Sequence, residues 1–369
     1  MRLILALILL AMAAPVMAQE GKLLPPNAEA AKYPLVTRSS VLERAVDQVI
    51  RPAFQNFKDK ADALTVAVDG LCAAPSTPNL DGAKLAFADV VDAYSRVEFF
   101  KIGPLGQDNR AERIFFWPDR KGIGLRQVQQ LLAEHDAAAT TPEGLASKSV
   151  AVQGLGALEY ALYGTGSDAL NDNDGSFRCQ FGLAIAKNMA GIGADLVADW
   201  MAPDGIASHL MAPREDYADY RTEIEALEEL VGIMSHGMEA IRDTRLLPFI
   251  GREGSAKPKL APFWRSGLTM AAVQANIEGL QKLFDQSQIA DAVGPTDMGL
   301  KASTEFEFSN AFRATDLVTS PIDEAATTPK QLSALNYLVI VTQSLQTLFG
   351  EQLSAALSLS VGFSALDGD

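Results

Sequence analysis

Helical periodicity runs through almost the whole chain and is the feature that most limits how it can fold. From Ser40 onward apolar residues recur with a period of about 3.6, and no convincing pair of alternating strands occurs. The periodic segments are 40–68, 82–102, 122–135, 147–163, 178–201, 215–247, 267–287 and 329–359. Apolar stripes on helices of this length are most simply buried in up-and-down bundles. The sequence therefore predicts an all-α fold.

The segment at about 203–214 is the best boundary between two helical bundles. It contains two prolines and a glycine, which interrupt helices, and helical segments lie on both sides of it. A chain of 369 residues also has the length of two ordinary domains. We expect two helical-bundle domains side by side, at 38–205 and 206–369, after an extended leader at 19–37.

The chain is acidic, and this charge excludes one class of partner. It has 31 Lys and Arg against 46 Asp and Glu, a formal net charge of -15, so it offers no basic surface to a nucleic-acid backbone. With three histidines and two cysteines a closed zinc site is nearly impossible to assemble, so carboxylates would supply most ligands of any bound metal. Such ligands favour iron, calcium, magnesium or manganese.

The N-terminus has the pattern of a cleavable export signal. Arg2 precedes an apolar stretch at 3–14, and residues 16–18, Val-Met-Ala, form a small-x-small cleavage site. The stretch is too short to span a membrane, and no later uncharged apolar run reaches about 18 residues. We expect removal of residues 1–18 and a periplasmic mature protein that begins at Gln19, without a lipid anchor or a membrane span.

Export would place both cysteines in an oxidising compartment. Cysteines there are more often paired than free, and two cysteines allow one pairing. We therefore expect a disulfide between Cys72 and Cys179, which would close a long loop and stabilise the fold by about 2 to 4 kcal/mol.

Two glutamates fall inside apolar arcs of their helices. At 100° per residue, Glu159 lies about 40° from Leu155, and Glu98 lies about 220° from Leu85, next to apolar Val91 at about 240°. A buried carboxylate is costly unless it is paired, hydrogen-bonded, protonated or bound to a metal. Helical bundles build carboxylate metal sites from inward glutamates on different helices. The pair therefore indicates a metal site.

The alternative is that each glutamate forms a structural ion pair. Arg96, Arg113 and Arg120 are candidate partners. The residues alone leave both interpretations open.

Two long connections, 103–121 and 248–266, contain aromatic residues and arginines in an otherwise acidic chain. Long ordered loops with such residues often line sites, and Trp117 and Arg265 are examples here. The alternative is that the aromatic residues close the ends of a bundle while the arginines pair with acidic neighbours.

His236 and Glu239 are spaced to hold one metal ion from adjoining helical turns. Counted from Tyr217, the apolar stripe of this helix spans about 240° to 340°, whereas His236 falls at about 100°. We therefore place His236 on a solvated polar face, where a site would need a covering domain.

Several standard motifs are missing from the sequence. It contains no phosphate-binding loop, no nucleophile elbow and no HExxH of zinc proteases, and neither cysteine adjoins a histidine as a catalytic nucleophile would. The run at 172–175, Asp-Asn-Asp-Gly, lacks the first and twelfth ligands of a calcium-binding EF-hand.

A set of short segments carries a family resemblance. They are the C-terminal GFSALDGD at 362–369, the WRSG step at 264–267, the Gly-Pro at 103–104, the Trp-Pro at 117–118, and GLGALEY at 154–160. Together they resemble the imelysin-like family of exported bacterial proteins, which have been classed as peptidases and linked to iron uptake. The last segment occupies the position of that family's GxHxxE signature. The resemblance spans nearly the whole mature chain.

The resemblance implies a two-domain helical fold whose signature helix faces the interdomain cleft. Gly154 and Glu159 match the first and last positions of the signature, but Gly156 stands where the family has its histidine. A metal ligand or base that the family pattern would supply is therefore missing, which argues against peptidase activity.

We predict a non-enzymatic periplasmic binding protein of iron or other metal uptake, with its site in the interdomain cleft. Its partners would be a metal ion or small ligand and a protein of an iron-uptake system. Glu159 and Glu98 would be the metal ligands. The expected cleft residues are Gly154, Gly156, Glu159, Glu98, Arg113, Trp117, Arg120, Arg265, Ser266, Asp367 and Asp369. The alternatives are a metallopeptidase of the imelysin class, and a structural module that binds a partner protein and in which an arginine holds Glu159.

Overall fold

The computed structural model describes residues 34–119, 121–251 and 255–360. All regular elements in these residues are helical, which confirms the predicted all-α class. The helices are α1 (Arg38–Arg44), α2 (Arg51–Ala73), α3 (Thr77–Ser95), α4 (Arg110–Ile114), α5 (Ile123–Glu134), α6 (Pro142–Ala146), α7 (Leu155–Tyr163), α8 (Ser176–Met201), α9 (Ile206–Met211), α10 (Glu223–Ala240), α11 (Leu247–Ile250), α12 (Thr269–Ser287), α13 (Gly299–Asp316), α14 (Ile322–Ala325), α15 (Pro329–Thr347) and α16 (Ser354–Ala356). The predicted export signal, most of the leader, Arg120 and the C-terminal run at 362–369 lie outside the described residues.

The N-terminal bundle consists of α2, α3, α7 and α8. Helix α2 packs against α3 and α8, and α7 packs against the same two helices. The apolar stripe of α2 follows the helical period, with Phe54, Phe57, Ala61, Leu64, Val68 and Leu71 all buried. Cys72 of α2 and Cys179 of α8 form a disulfide, which confirms the predicted pairing.

The C-terminal bundle consists of α10, α12, α13 and α15, which pack in the same closed arrangement. Its core contains the rings of Phe284, Phe308 and Phe349, whose centroids lie 5.8 to 6.1 Å apart. Helix α12 also packs against α3, so the two bundles are in contact. The placement of the domain boundary stays a prediction.

Two boundaries next to predicted site residues and one whole helix differ from the sequence prediction. Helix α3 ends at Ser95, so Glu98 lies in the turn that follows it. Helix α7 begins at Leu155, after a 3₁₀ turn at Val150–Val152. Helix α13 was not predicted, because its buried face includes small and polar residues such as Thr304 and Ala311, which weaken the apolar period.

Segments 173–201 and 329–356 are long and apolar enough to cross a membrane by length and composition. In this fold, α8 packs along α2, and α15 packs against α10 and α13. Length and composition therefore do not distinguish these segments from core helices.

Candidate functional site

The described residues surround a large cavity of about 1100 Å³. Its wall combines three parts of the chain, at 94–118, 219–245 and 343–360. Carboxylates dominate the wall, with Glu98, Glu112, Asp219, Glu225, Glu228, Glu229 and Glu351. The basic groups on it are Lys101, Arg245 and His236, and the aromatic side chains are Tyr94, Phe99, Phe115, Trp117 and Tyr220.

Helix α10 supplies much of the acidic wall. Its polar face, which the sequence places in solvent, carries Glu225, Glu228, Glu229 and half-buried His236 into the cavity. Burial raises the pKa of Glu229, the His236 charge opposes this shift, and the neighbouring Glu228 adds to it. One face of α10 thus presents an imidazole and several carboxylates to the cavity.

Two π-helical turns lie at the cavity. The first, Ile241–Leu246, follows α10 and contributes Arg245, and the second, Leu348–Leu353, follows α15 and contributes Glu351. A π-helical turn redirects side chains relative to a regular α-helix and often occurs at functional sites. Both helices therefore change their geometry where they border the cavity.

Glu98 is held by two partners at the inner wall of this cavity. The Arg245 guanidinium donates from Nη2 to Glu98 Oε2 at 2.6 Å, and Asn276 Nδ2 donates to Glu98 Oε1 at 2.7 Å. Arg245 also lies over the Phe115 ring, 5.1 Å from its centroid. Burial, with the nearby Glu98 charge, raises the pKa of Tyr94 well above its ordinary value.

Arg245 has unused hydrogen-bonding capacity. Its residue is 7% exposed, and within the described part of the chain its Nε and Nη1 atoms are buried without a hydrogen-bond acceptor. Oδ1 of the adjacent Asn276 is likewise buried without a donor among those residues.

Glu159 lies in a different environment, on α7. It is 4% exposed, and its Oε1 accepts hydrogen bonds of 2.9 Å from both the backbone N–H and the hydroxyl of Ser266. The Arg265 guanidinium is 3.9 Å from its other oxygen and lies between the rings of Trp264 and Tyr160. Burial raises the pKa of Glu159, although the Ser266 hydrogen bonds and the Arg265 charge oppose the shift.

The two glycines of the signature segment have opposite surroundings. Gly154 caps the N-terminus of α7, and a Cβ there would lie 2.1 Å from the carbonyl oxygen of Ile114. Gly156 is exposed, and a Cβ there would meet no atom within 4 Å. Close backbone approach thus explains Gly154 and does not explain Gly156.

The two long aromatic connections meet. Phe115 of the first stacks on Phe263 of the second, with ring centroids 4.5 Å apart, and also on Trp117. Trp117 lines the cavity and donates from its indole nitrogen to the carbonyl oxygen of Thr244 at 2.9 Å. These contacts join the loop next to Glu159 to the wall that contains Arg245.

Two of the arginines proposed as carboxylate partners, Arg113 and Arg96, bind other groups. Arg113 donates to Gln153 Oε1 at 2.9 Å and to Asn188 Oδ1 at 2.8 Å. Arg96 pairs with Asp92 and Glu278 instead of Glu98.

The structure therefore divides the predicted site residues into groups. Glu98 and Trp117 line the cavity. Gly154, Gly156, Glu159, Arg113, Arg265 and Ser266 do not line it. Arg120, Asp367 and Asp369 lie outside the described residues. In the described part of the chain no three His, Cys, Asp or Glu side chains form a group that could hold a metal ion by themselves.

Arg245 was not among the site residues predicted from the sequence, although the sequence contains a signal for it. On the helical wheel counted from Tyr217, Arg245 falls at about 280°, inside the apolar stripe of its own helix. An arginine in an apolar arc needs a buried anionic partner, and Glu98 is that partner.

This chain is similar to a known protein family and to solved structures. The model of the imelysin family, peptidase M75, matches residues 50–349. The crystal structure of an imelysin-like protein from Psychrobacter arcticum 273-4 is 20% identical, with a TM-score of 0.75 over 89% of this chain and 98% of that chain. The structure of an iron-regulated protein A precursor from Parabacteroides distasonis ATCC 8503 is 16% identical, with a TM-score of 0.68 over 85% of this chain and 95% of that chain.

A search of curated protein sequences gave no significant match. The family model covers most of the chain, in agreement with the resemblance carried by its motifs. The chain belongs to the imelysin family.

Proposed function

We propose that this protein is a periplasmic, non-enzymatic binding protein that takes part in the uptake of iron or another metal. Its site would be the acidic cavity at the junction of the two helical bundles. It would act with a partner protein of an uptake system.

The composition of the cavity wall is the observation that carries this proposal. Carboxylate oxygens and an imidazole nitrogen are the ligands that iron and manganese accept, and Glu225, Glu228, Glu229 and His236 present them from one helix, spread along the wall rather than gathered in one group. Glu351 faces the same cavity from a π-helical turn on another element. An acidic wall of this kind also raises the local concentration of cations.

Two further observations support the proposal. The disulfide between Cys72 and Cys179 is typical of proteins that fold in an oxidising compartment, in keeping with the expected export signal at 1–18. One of the structural relatives is named as an iron-regulated protein A precursor.

Glu159 has a separate role in this proposal. It remains a candidate metal ligand, as the sequence predicts. Its carboxylate, however, accepts hydrogen bonds from Ser266 and does not line the cavity. A variant at Glu159 therefore distinguishes a cavity site from a site on the signature helix.

The test is metal analysis of the protein purified from the periplasm without chelators. The full chain is exported from a bacterial host, and plasma mass spectrometry measures iron, manganese, calcium and zinc. The variants are Glu228→Gln/Glu229→Gln in the cavity and Glu159→Gln on α7. Glu43→Gln/Glu134→Gln is the matched control, because both residues are exposed and neither lines the cavity.

We expect about one metal ion per chain in the wild type and in the control variant, with most of it lost from the cavity variant. Loss in Glu159→Gln alone would move the site to the signature helix. A wild-type protein that contains no metal and binds neither iron nor its complexes on titration would contradict the proposal. Metal-dependent cleavage of a denatured protein substrate would favour the metallopeptidase alternative.

A further inference from the structure

The size of the cavity bears on the form in which a metal would enter it. About 1100 Å³ is far more than a metal ion and its direct ligands occupy, and it is comparable with the largest sites for small organic molecules, which span roughly 300 to 1,000 Å³. The aromatic side chains of Phe115 and Trp117 on its wall would contact organic groups rather than an ion. The cavity therefore has the dimensions of a site for a complex.

Arg245 adds an observation that is independent of the acidic wall. Its guanidinium is buried at the cavity, and one nitrogen, Nη2, already donates to Glu98. Nε and Nη1 are buried and have no acceptor among the described residues. A buried donor without an acceptor costs about 1 to 3 kcal/mol, so an oxygen-rich anionic ligand would gain by supplying one.

The acidic wall of the cavity favours a cationic ligand, whereas the free donors of Arg245 favour an anionic one. A free polycarboxylate would meet Arg245 but would be repelled by Glu225, Glu228, Glu229 and Glu351. A bare cation would suit those carboxylates but would leave the Arg245 donors unused. In a complex of a metal ion with a small polycarboxylic acid, the metal offsets most of the carboxylate charge next to the acidic wall, while carboxylate oxygens remain to accept hydrogen bonds from Arg245.

We infer that the cavity binds its metal as a complex with a small polycarboxylic acid. A carboxylate of the chelator would accept hydrogen bonds from Arg245, while the metal faces the carboxylates and the imidazole of α10. This inference rests on the proposed function, because it specifies the chemical form of the metal that the same cavity takes up.

The experiment compares three probes by isothermal titration calorimetry on the full mature protein. They are ferric citrate, citrate alone, and ferrous sulfate under anaerobic conditions. The variant is Arg245→Lys, which retains the positive charge next to Glu98 and removes the planar set of donors. Arg51→Lys is the matched control, since Arg51 is partly buried, pairs with Asp47 and does not line the cavity.

We expect the wild type to bind ferric citrate at least about 10-fold more tightly than either citrate or the bare ferrous ion. Arg245→Lys should weaken ferric citrate about 10-fold or more and leave ferrous binding within about twofold, as the control should for all three probes. Circular dichroism and thermal denaturation verify that each variant is folded. If Arg245→Lys unfolds, the ranking of the three probes on the wild type decides by itself.

Three results would overturn the inference. Bare iron that binds as tightly as ferric citrate would show a simple ion site, and the proposed function would stand. Unchanged ferric citrate binding in a folded Arg245→Lys protein would remove Arg245 from the site and also leave the proposed function standing. If none of the three probes binds the wild type, the inference fails, and the proposed function fails with it unless metal analysis of the purified protein finds another metal such as manganese.

Discussion

Glu98 and Arg245 form a buried ion pair although 147 residues separate them in the chain. Their side chains are 6% and 8% exposed, and the oxygen and nitrogen are 2.6 Å apart. Glu98 follows α3 of the N-terminal bundle, and Arg245 lies in the π-helical turn after α10 of the C-terminal bundle. This ion pair thus connects the two bundles at the wall of the cavity, together with the contacts of Asn276 with Glu98 and of Trp117 with Thr244. Each charge has lost its hydration and depends on the other for compensation.

Removal of one member of this pair should be strongly destabilising. In Arg245→Met the Glu98 carboxylate stays buried with Asn276 as its remaining hydrogen-bond donor. We expect the free energy of unfolding to fall by about 3 to 5 kcal/mol, as it does when a buried ion pair loses one partner. Denaturation in urea at neutral pH measures this change.

The double variant Glu98→Gln/Arg245→Met provides the control for that experiment. It removes both charges, and we expect it to recover a large part of the lost stability because no uncompensated charge remains. Equal stability of Arg245→Met and the wild type would contradict the prediction.

Glu159 should make stability depend on pH in the acidic range. Burial raises its pKa above the ordinary value of 4.5. A carboxyl whose pKa is raised by folding stabilises the protein below the unfolded pKa, and this contribution is lost as pH rises through the folded pKa. Glu159→Gln resembles the protonated form and still accepts the Ser266 hydrogen bonds. We therefore expect it to be as stable as the wild type or more stable at neutral pH.

The measurement for Glu159 is urea denaturation of both proteins at about pH 4.5 and about pH 7. The advantage of Glu159→Gln should grow with pH. A variant that loses stability only at neutral pH would show that the charged carboxylate is required by its surroundings. Ser266→Ala serves as the comparison, since it removes one of the two Ser266 donors to the charged group and should cost about 1 to 3 kcal/mol.

The all-α class and the burial of Glu98 and Glu159 could be predicted from the sequence, because helical periodicity records which positions face a core. The partners of these glutamates could not. Arg245 and Ser266 come from segments 147 and 107 residues away, and periodicity contains no information on which helices meet. Glu98 shows a related limit, since the wheel assumed a regular helix that in fact ends at Ser95.

The surroundings of His236 could not be predicted for the same reason. A polar helix face has the same sequence pattern whether it borders solvent or a cavity. The cavity next to α10 is closed by segments at 94–118 and 343–360, which lie far from this helix in the chain. Only the arrangement of the bundles reveals that the polar face of α10 lines a site.

The two signature glycines should respond oppositely to the same substitution. Gly154→Ala would place a methyl group 2.1 Å from the Ile114 carbonyl oxygen, so the backbone must move and we expect a loss of more than about 2 kcal/mol in unfolding free energy. In Gly156→Ala the new methyl group points into open space in the first turn of α7. We expect this variant to have an unfolding free energy higher than that of the wild type by as much as about 1 kcal/mol. Thermal denaturation of both variants checks this. Equal effects would show that the backbone around α7 adapts freely.

The disulfide between Cys72 and Cys179 should contribute measurably to stability. It closes a loop of 107 residues between two packed helices, and such a cross-link restricts the unfolded chain. We expect Cys72→Ser/Cys179→Ser to lower the free energy of unfolding by about 2 to 4 kcal/mol. Urea denaturation of the variant and of the wild type, each with and without a reductant, measures this. A variant as stable as the oxidised wild type would contradict the prediction.

His209, at the edge of the cavity, should make the stability of the protein depend on pH near neutrality. Its Nδ1 bonds the carboxylate of Asp219 at 3.0 Å, and its ring stacks on Tyr217, with centroids 3.8 Å apart. Asp219 lines the cavity, so this contact holds the segment between α9 and α10 in place. The hydrogen bond to Asp219, with a further one to Asp204, raises the pKa of His209 from 6.5, although partial burial opposes the shift.

The sign of the His209 effect follows from the raised pKa. Its stabilising contribution is complete below the unfolded pKa of 6.5 and is lost as pH rises through the higher folded pKa. For a partly exposed pair we expect a loss of about 1 kcal/mol or less in unfolding free energy between about pH 6 and pH 9. His209→Gln should remove this dependence, because glutamine bonds Asp219 without a charge. Urea denaturation at both pH values measures it, and an unchanged slope in the variant would assign the dependence to another group.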